Sequence, residues 1–195
     1  GETPKLNCDG KLSCKNAREL TFIAQSVHNR FIDCTGDAAC TRIKYESDVQ
    51  LEGIGYLNCF GHRSCRLAKL TVGTELYCHG TSSCKLADII SRGDKEIQCY
   101  GWNSCRKSNI ESDGTIVFDG KNAGTEATIS AVTVIVNGYY GIAYATIDSQ
   151  DKDTELSVYG HSAGNGATFI CRDGSNCKLN CVGTSCRDMN YICLT

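Results

Sequence analysis

The sequence predicts an all-β fold, a right-handed parallel β-helix (β-solenoid) of about nine coils with ~20 residues in each. A short motif that begins and ends with cysteine recurs along the chain, and apolar residues alternate with polar ones on both sides of it. Recurrence at an interval of about 20 residues is typical of repeat proteins, in which each repeat packs on its neighbours. No segment spaces its apolar residues as a helix does. The right hand is expected because crossovers between parallel strands almost always have it.

The recurring motif reads Cys-x-Gly-x-x-Ser-Cys in its most regular copies, which start at Cys8, Cys59, Cys78 and Cys99. Glycine tolerates positive φ, so a glycine at a constant place predicts a tight turn in every copy. Six pairs of cysteines have the spacing of this motif. They are Cys8 with Cys14, Cys34 with Cys40, Cys59 with Cys65, Cys78 with Cys84, Cys99 with Cys105 and Cys171 with Cys177.

The motif continues through the middle of the chain without its cysteines, in the segments 118–124, 136–142 and 158–164. The glycine stays, while apolar or small residues take the cysteine positions. The repeat therefore depends on the glycine turn in every copy, and on the disulfide in some copies only. A string of small disulfide-bonded modules is the alternative fold, and such modules would not keep one register through the cysteine-free stretch 106–170.

Short strands are predicted on both sides of each turn. After the motif, Ala68 and Leu70 flank the polar Lys69, and this alternation is typical of a half-buried strand. The same pattern recurs at Ala87/Ile89, Ser108/Ile110, Ala127/Ile129, Ala145/Ile147 and Ala167/Phe169, with Ile43/Tyr45 in an earlier coil. Before the motif, an apolar residue stands two places ahead of the first cysteine position. These residues are Leu57, Leu76, Ile97, Ile116, Val134 and Leu156.

We predict that each cysteine pair forms a disulfide within its own coil, because every copy of the motif keeps or loses both cysteines together. A short turn can bring the two Cα atoms to the ~5.5 Å that a disulfide needs. Bridges between neighbouring coils are the alternative. Zinc binding is disfavoured because the spacing is not Cys-x2-Cys and no histidines accompany the pairs at ligand spacing.

The C-terminal part of the chain departs from the regular pattern. We predict one β-solenoid domain over 1–195, with an irregular, cysteine-crowded coil at 171–195. A seventh local pair, Cys181 with Cys186, is one residue shorter than the others and leaves Cys193 over. An odd cysteine in a secreted chain suggests an intermolecular bridge or a free thiol. In the alternative reading, these three cysteines pair differently among themselves.

Composition limits the classes of function. Fifteen cysteines indicate an oxidising compartment, and the start at Gly1 with Met189 as the one methionine leads us to expect a mature secreted chain. A net charge of −2 gives no footprint for nucleic acid, and no apolar run reaches the ~20 residues of a membrane helix. We find no catalytic grouping and expect neither an enzyme nor a cofactor or metal site. The acidic segment 148–153 is interpreted as a solvated loop rather than a calcium site.

Aromatic residues flank the turn glycine in several coils. Exposed, they would form a stripe suited to stacking on sugar rings or to contact with another protomer. The alternative is that some of them fold back and cover the disulfide turn. The six residues are Phe60, Tyr100, Trp102, Tyr139, Tyr140 and Tyr159.

The repeated Cys-x-Gly-x-x-Ser-Cys motif resembles the cysteine-rich β-solenoid proteins that algae, oomycetes and other microbial eukaryotes secrete, over about residues 6–187. The resemblance implies an extracellular structural or adhesive role, for example in flagellar hairs (mastigonemes), without catalytic residues. Solenoid ends expose unpaired strand edges, and we see no segment that would cap them. We therefore expect a fibre subunit that assembles with itself head to tail. The alternative is a secreted carbohydrate-binding or adhesive module that uses the aromatic stripe.

Overall fold

The computed structural model of the protein describes residues 5–15, 20–21, 31–42, 44–46, 56–73, 75–150 and 152–194. Within these ranges the chain forms short strands and no helix. The strands in chain order are β1 (Lys5–Asn7), β2 (Leu20–Thr21), β3 (Phe31–Cys34), β4 (Lys44–Glu46), β5 (Tyr56–Phe60), β6 (Lys69–Val72), β7 (Glu75–His79), β8 (Asp88–Ser91), β9 (Ile97–Tyr100), β10 (Asn109–Ser112), β11 (Thr115–Asp119), β12 (Thr128–Ser130), β13 (Thr133–Val136), β14 (Thr146–Asp148), β15 (Thr154–Val158), β16 (Thr168–Cys171), β17 (Cys177–Cys181) and β18 (Asn190–Cys193).

The strands form two nine-stranded parallel sheets. Sheet A contains the odd-numbered strands and sheet B the even-numbered ones, each in chain order. Each coil of the solenoid contributes one strand to each sheet. The seven coils from β5 to β18 are described almost without interruption, and β1 to β4 belong to two earlier coils. The all-β parallel solenoid that the sequence predicts is confirmed.

The predicted alternation places the core between the two sheets. In sheet B, Leu70 pairs in register with Ile89, and the column continues through Ile110, all of them buried. Lys69 and, in the next two coils, Asp88 and Asn109 point outward and are exposed. Of the earlier pair, Tyr45 lies in β4 in register with Leu70, while Ile43 lies outside the described residues. The inward column of sheet A consists of Leu57, Leu76, Ile97, Ile116, Val134 and Leu156, all buried.

The corner that joins a strand of sheet A to the next strand of sheet B is built around the recurring glycine. Gly61 and Gly80 have φ of +135° and +128°, as the turn requires. Gly138 lies outside the positive-φ region, yet a Cβ on it would lie 2.2 Å from the carbonyl oxygen of Gly120 in the preceding coil. Glycine is therefore needed for a second reason, because the backbones of successive corners are too close to admit a side chain.

Where the cysteines are absent, a large residue opposite a glycine takes the volume of the disulfide. Phe118 lies in register with Cys99 and is fully buried. A Cβ on Gly124 would lie 2.5 Å from Cε1 of the Phe118 ring. In the next coil, a Cβ on Gly141 would lie 2.4 Å from Cγ1 of Val136. These corners keep their shape by packing rather than by a covalent bond.

Seven disulfides are formed, each between two cysteines that the sequence pairs locally, and their Cα–Cα distances are 5.5 to 5.9 Å. The alternative was that bridges join neighbouring coils. The bridges at the glycine corners instead each stay within one coil. The bridges join Cys8 to Cys14, Cys34 to Cys40, Cys59 to Cys65, Cys78 to Cys84, Cys99 to Cys105, Cys171 to Cys177 and Cys181 to Cys186.

The bridges differ in burial although the sequence analysis treated their motifs as equivalent copies. Cys59 and Cys65 are both fully buried, because a coil packs on each side of their corner. Cys14 is only half-buried, although its partner Cys8 is buried. Their corner belongs to the outermost described coil, which has a described neighbour on one side alone. Identical spacing therefore does not give the two bridges the same protection from solvent.

One disulfide lies at a different corner from the other six. Cys171 ends β16 and Cys177 begins β17, so their bridge closes the corner from sheet B to sheet A.

The last copy of the glycine corner is therefore the bridge between Cys181 and Cys186. Cys181 is in register with Val158, at the first position of the motif. The predicted pairing of Cys171 with Cys177 is confirmed, but grouping it with the glycine corners was wrong. The spacing of the cysteines is that of the motif, whereas Gly174 comes one place later than the motif glycine. The crowding of cysteines near the C-terminus thus reflects bridges on both sides of one strand, β17.

Candidate functional site

The six aromatic residues near the turn do not lie in one stripe. One group occupies the position after the first cysteine, where the strands of sheet A end; it consists of Phe60, Tyr100 and Tyr159. The other group lies in the turn itself, where Trp102 and Tyr139 directly follow the glycine and Tyr140 follows Tyr139. Asp119, in register with Tyr100, separates that ring from Tyr159 further along the edge. Phe60, Trp102, Tyr139 and Tyr159 are exposed, while Tyr100 and Tyr140 are half-buried.

One aromatic cluster lies on the outer face of sheet A, in the coils of β5, β7 and β9. The ring centroids of His79 and Tyr100 are 4.7 Å apart and the rings are stacked, while Phe60 approaches His79 at 5.5 Å. Tyr56 and Tyr77 meet edge to face at 6.1 Å. Strands β5 and β7 line an open cleft of about 350 Å³, which we call the aromatic cleft. It is lined by Tyr56, Asn58, Phe60, Tyr77 and His79.

Hydrogen bonds hold the rings of the aromatic cleft in place. Gln98 donates from Nε2 to Oε1 of Glu96 at 2.8 Å, so its own Oε1 faces Nε2 of His79 at 3.2 Å. Because an amide oxygen can only accept, Nε2 of His79 carries the proton and Nδ1 is left as an acceptor. Tyr77 donates its hydroxyl to Glu75 at 2.5 Å, and this bond, together with burial, raises the pKa of Tyr77 to about 12. Tyr77 is therefore neutral at physiological pH.

The sequence-based candidates were limited to aromatic residues beside the turn glycine. For that reason Tyr56, Tyr77 and His79 were missed as site residues. The available signal was the alternation within the strand before the motif. Side chains two and four places before the residue that follows the cysteine lie on the same outward face of the strand as that residue. In β5 and β7 this places Tyr56 and Tyr77 beside Phe60 and His79.

A second aromatic cluster lies at the glycine corners that follow β13 and β15. Tyr139 stacks on His161 at 5.3 Å and meets Tyr140 edge to face at 4.4 Å. The ammonium group of Lys121 lies 5.9 Å from the centre of the Tyr139 ring. These rings cover one another.

Basic residues follow the second cysteine of the motif in three consecutive coils. They are Arg66, Lys85 and Arg106. Burial, followed by the charges of Arg106 and Arg66, lowers the pKa of Lys85. Arg106 pairs with Glu126 at 2.5 Å, whereas Arg66 and Lys85 have no ion pair among the described residues. Arg66 and Lys85 therefore leave two unpaired positive charges beside the glycine corner among the described residues.

In the acidic segment near residue 150, the two described carboxylates, Asp148 and Asp153, each have partners of their own. Asp148 accepts from Nε of Arg172 at 2.7 Å and from its NH2 group at 2.6 Å, and this pair lowers the pKa of Asp148. Asp153 accepts from the backbone and the side chain of Asn176, and residue 151 lies outside the described residues. Across the described residues, the groups close enough to share an ion are cysteines, such as Cys59, Cys78 and Cys84, whose sulfurs are in disulfides.

The last coil exposes apolar side chains and a thiol. Tyr191 is in register with the buried Phe169, yet it is 47% exposed. Ile192 and Leu194 are also exposed, and Cys193 is the one free cysteine among those described. Tyr191 and Cys193 lie at positions whose register partners in the preceding coil point into the core. The surface of β17 and β18, which we call the last-coil edge, is therefore core-like in composition.

The fold defines this protein as a cysteine-rich parallel β-solenoid with repeated disulfides inside its coils. Seven disulfides indicate an oxidising environment. No protein-family model, curated protein or solved structure matches the chain. Within the described ranges there is no helix that could cross a membrane. The aromatic cleft and the last-coil edge are the two surfaces from which function can be argued.

Proposed function

We propose that this protein is a secreted structural subunit that polymerises head to tail into an extracellular fibre or surface appendage, of the kind that mastigonemes represent. The observation that carries the proposal is the last-coil edge, in which β17 and β18 each pair with a described strand on one side only and exposed apolar side chains accompany them. Such an edge is a template for pairing with another chain unless something blocks it.

The ends of the two sheets are complementary in direction. Among the described strands, β17 and β18 are outermost at one end of the sheets, and β1 and β2 are outermost at the other. A second copy whose β1 and β2 met β17 and β18 would continue both parallel sheets. Because this contact joins two different surfaces, it can repeat without closing, and a filament results.

Apolar burial supports the same contact. Tyr191 covers Phe169 from one side, with ring centroids 5.4 Å apart, and leaves its own other side exposed. In the coils from β6 to β16, the corresponding side chains of sheet B are all buried, from Leu70 to Phe169. A stacked copy would remove Tyr191 from water in the same way, and removing apolar surface from water is the main favourable term in association.

The body of the solenoid suits a mechanical role. Disulfides at the glycine corners of neighbouring coils lie against one another, and the sulfurs of Cys59, Cys78 and Cys84 all lie within 4.8 Å of each other. Each bridge restricts the unfolded chain and stabilises its coil by about 2 kcal/mol in the chain-entropy account. A rod reinforced in this way resists local unfolding outside the cell.

The proposal is tested by imaging the purified full chain by negative-stain microscopy and by sedimentation at increasing protein concentration. We expect filaments in the unmodified chain and dispersed particles for Tyr191→Lys, because a charge on the last-coil edge opposes stacking. Tyr144→Lys is the matched control, since Tyr144 is an exposed tyrosine at the corner of the seventh coil. Circular dichroism verifies that both variants fold.

Dispersed particles of the unmodified chain at every concentration would contradict the fibre role. Equal loss of filaments in Tyr191→Lys and Tyr144→Lys would place the contact elsewhere than at the last-coil edge.

A further inference from the structure

We propose that the aromatic cleft is a glycan-binding site, in which a pyranose ring lies against Phe60 and Tyr77 and its hydroxyl groups bind the polar rim. This inference goes beyond the fibre role and does not depend on it. The cleft lies on the outer face of sheet A, away from the last-coil edge, so a free chain and a polymerised chain could both present it.

The concentration of rings on this face is the first argument. Tyr56 and Phe60 point outward from β5, Tyr77 and His79 from β7, and Tyr100 from β9. Outward positions on the face of a strand that meets water usually carry polar side chains. At the equivalent positions of β11 to β17 the described chain has one aromatic residue, Tyr159. Rings gathered in three adjacent coils serve a purpose that the solenoid fold itself does not require.

The openness of the rings is the second argument. Phe60 is 54% exposed although it contacts His79, so one of its faces is free. Tyr77 meets Tyr56 and His79 edge to face rather than in a stack. Aromatic rings with a polar tip are suited to ligands that are apolar on one side and polar at their edge. A pyranose ring has this character, with C–H bonds on its face and hydroxyl groups around it.

The polar rim is the third argument. Asn58 donates from Nδ2 to Asp33 at 2.9 Å, which turns its Oδ1 into an available acceptor. Nδ1 of His79 is also an acceptor, because Nε2 is protonated and bound to Gln98. These groups are positioned before any ligand arrives, which lowers the entropic cost of binding. Fixed acceptors beside an aromatic floor match the hydroxyl donors of a sugar.

The size of the cleft favours a glycan over a protein partner. A volume of about 350 Å³ lies at the lower end of the ~300–1,000 Å³ range of small-ligand sites. Binding sites of this kind are mostly apolar, with a few placed polar groups that set orientation. The cleft has this composition, and the carboxylates at its border, Glu75 and Glu96, are already engaged by Tyr77 and Gln98.

The test is isothermal titration of the full chain with three hexasaccharides, of β-1,4-linked glucose, β-1,3-linked glucose and β-1,4-linked N-acetylglucosamine. We expect saturable binding of at least one of them, and a dissociation constant at least about tenfold higher for Phe60→Ala. Tyr159→Ala is the matched control, because Tyr159 occupies the same position of the motif in a later coil and is 51% exposed. It should bind as the unmodified chain does.

Tyr77→Phe keeps the ring and removes the hydroxyl, so it should retain most of the affinity, whereas Tyr77→Ala should lose it. Thermal unfolding of each variant separates loss of the site from loss of the fold. No binding of any probe by the unmodified chain would overturn the proposal, as would equal weakening in Phe60→Ala and Tyr159→Ala. A change in sedimentation of Phe60→Ala without any sugar binding would assign the cleft to a protein contact and would also overturn it. Filament imaging of the same variants tests the fibre role separately.

Discussion

At the scale of single residues, the glycine corner tolerates less than the sequence motif suggests. Gly138→Ala places a methyl group 2.2 Å from a carbonyl oxygen of the preceding coil, and neither backbone can move without disturbing the sheets on both sides. We expect a loss of about 3 kcal/mol in the free energy of unfolding. Gly164→Ala is the control, because the nearest atom to its added methyl group lies at 3.3 Å, where a small shift is enough to relieve the contact. Denaturant titration of both variants gives the comparison, and similar losses would show that coil-to-coil closeness is not the cause.

Single residues also show which features of the fold and the site could be predicted from the sequence alone. The inward positions of the strands were predictable, because Leu70 and Ile89 stand in a period of two beside a fixed motif. The aromatic cleft was predictable in part. Phe60 was recognised beside the glycine, whereas its contact with His79 depends on the register of β5 against β7. Register between coils is set by the lengths of the opposite corners, and these vary along the chain.

At the scale of elements, disulfide corners and packed corners are interchangeable solutions to the same turn. Val158 and Gly164 stand at the two motif positions that Cys99 and Cys105 occupy with a bridge, and Val158 is fully buried. The double variant Cys99→Val/Cys105→Gly should therefore fold and lose about 2 kcal/mol, the value of a short cross-link. Denaturant unfolding without reductant measures this loss.

The control for that variant is Cys99→Ser/Cys105→Ser, which also removes the bridge. Both cysteines are fully buried, so the control leaves two hydroxyl groups in an apolar interior, and each costs about 1–3 kcal/mol more if it finds no partner. A larger loss in the serine pair than in the valine–glycine pair is expected. The reverse order would mean that the volume exchange seen at Val158 does not transfer between coils.

The element scale also explains what the spacing of cysteines could not predict. Cys171 with Cys177 and Cys99 with Cys105 have the same separation, so the spacing of the cysteines alone cannot tell their corners apart, although Gly174 comes one place later in its segment than Gly101 does. The distinction lies in which strands they join, and it emerges when Cys181 is set in register with Val158. Because the corners of this repeat differ in length, the corner to which a cysteine pair belongs is known only once the strands are paired in three dimensions.

The unequal burial of the first bridge gives a further prediction at the same scale. Cys14 is half-buried, whereas Cys59 and Cys65 are fully buried, so a reductant reaches the bridge of Cys8 with Cys14 without the core being opened. We expect mild reduction of the folded chain, followed by alkylation and mass spectrometry of the peptides, to label Cys14 well before Cys65. Labelling of Cys65 at the same rate would mean that exposure does not control access to these bridges.

At the scale of the whole molecule, the solenoid is a one-dimensional stack. Strand pairs with substantial contacts are neighbours within one sheet, as β5 is to β7 and β16 is to β18. In such an array, stability is approximately a sum over coils and over the interfaces between them. The first and the last described coils have one interface each, so their edges gain most from a partner. The same reasoning distinguishes two ways in which copies could join, by stacking and by a bridge through Cys193.

A disulfide between two Cys193 thiols joins two last coils tail to tail, whereas a growing fibre joins a last coil to a first coil. A bridged pair therefore has its two last-coil edges facing each other and cannot extend from them. We expect the unmodified chain to form some covalent dimer on non-reducing gels and Cys193→Ser to form none. Filaments of Cys193→Ser should stay intact or lengthen, because more last-coil edges stay open. Gel electrophoresis with and without reductant, with filament lengths measured on the same samples, provides the measurement. Cys193→Ser filaments that are shorter than those of the unmodified chain would mean that the thiol supports the fibre contact, and the stacking geometry argued from β17 and β18 would then be wrong.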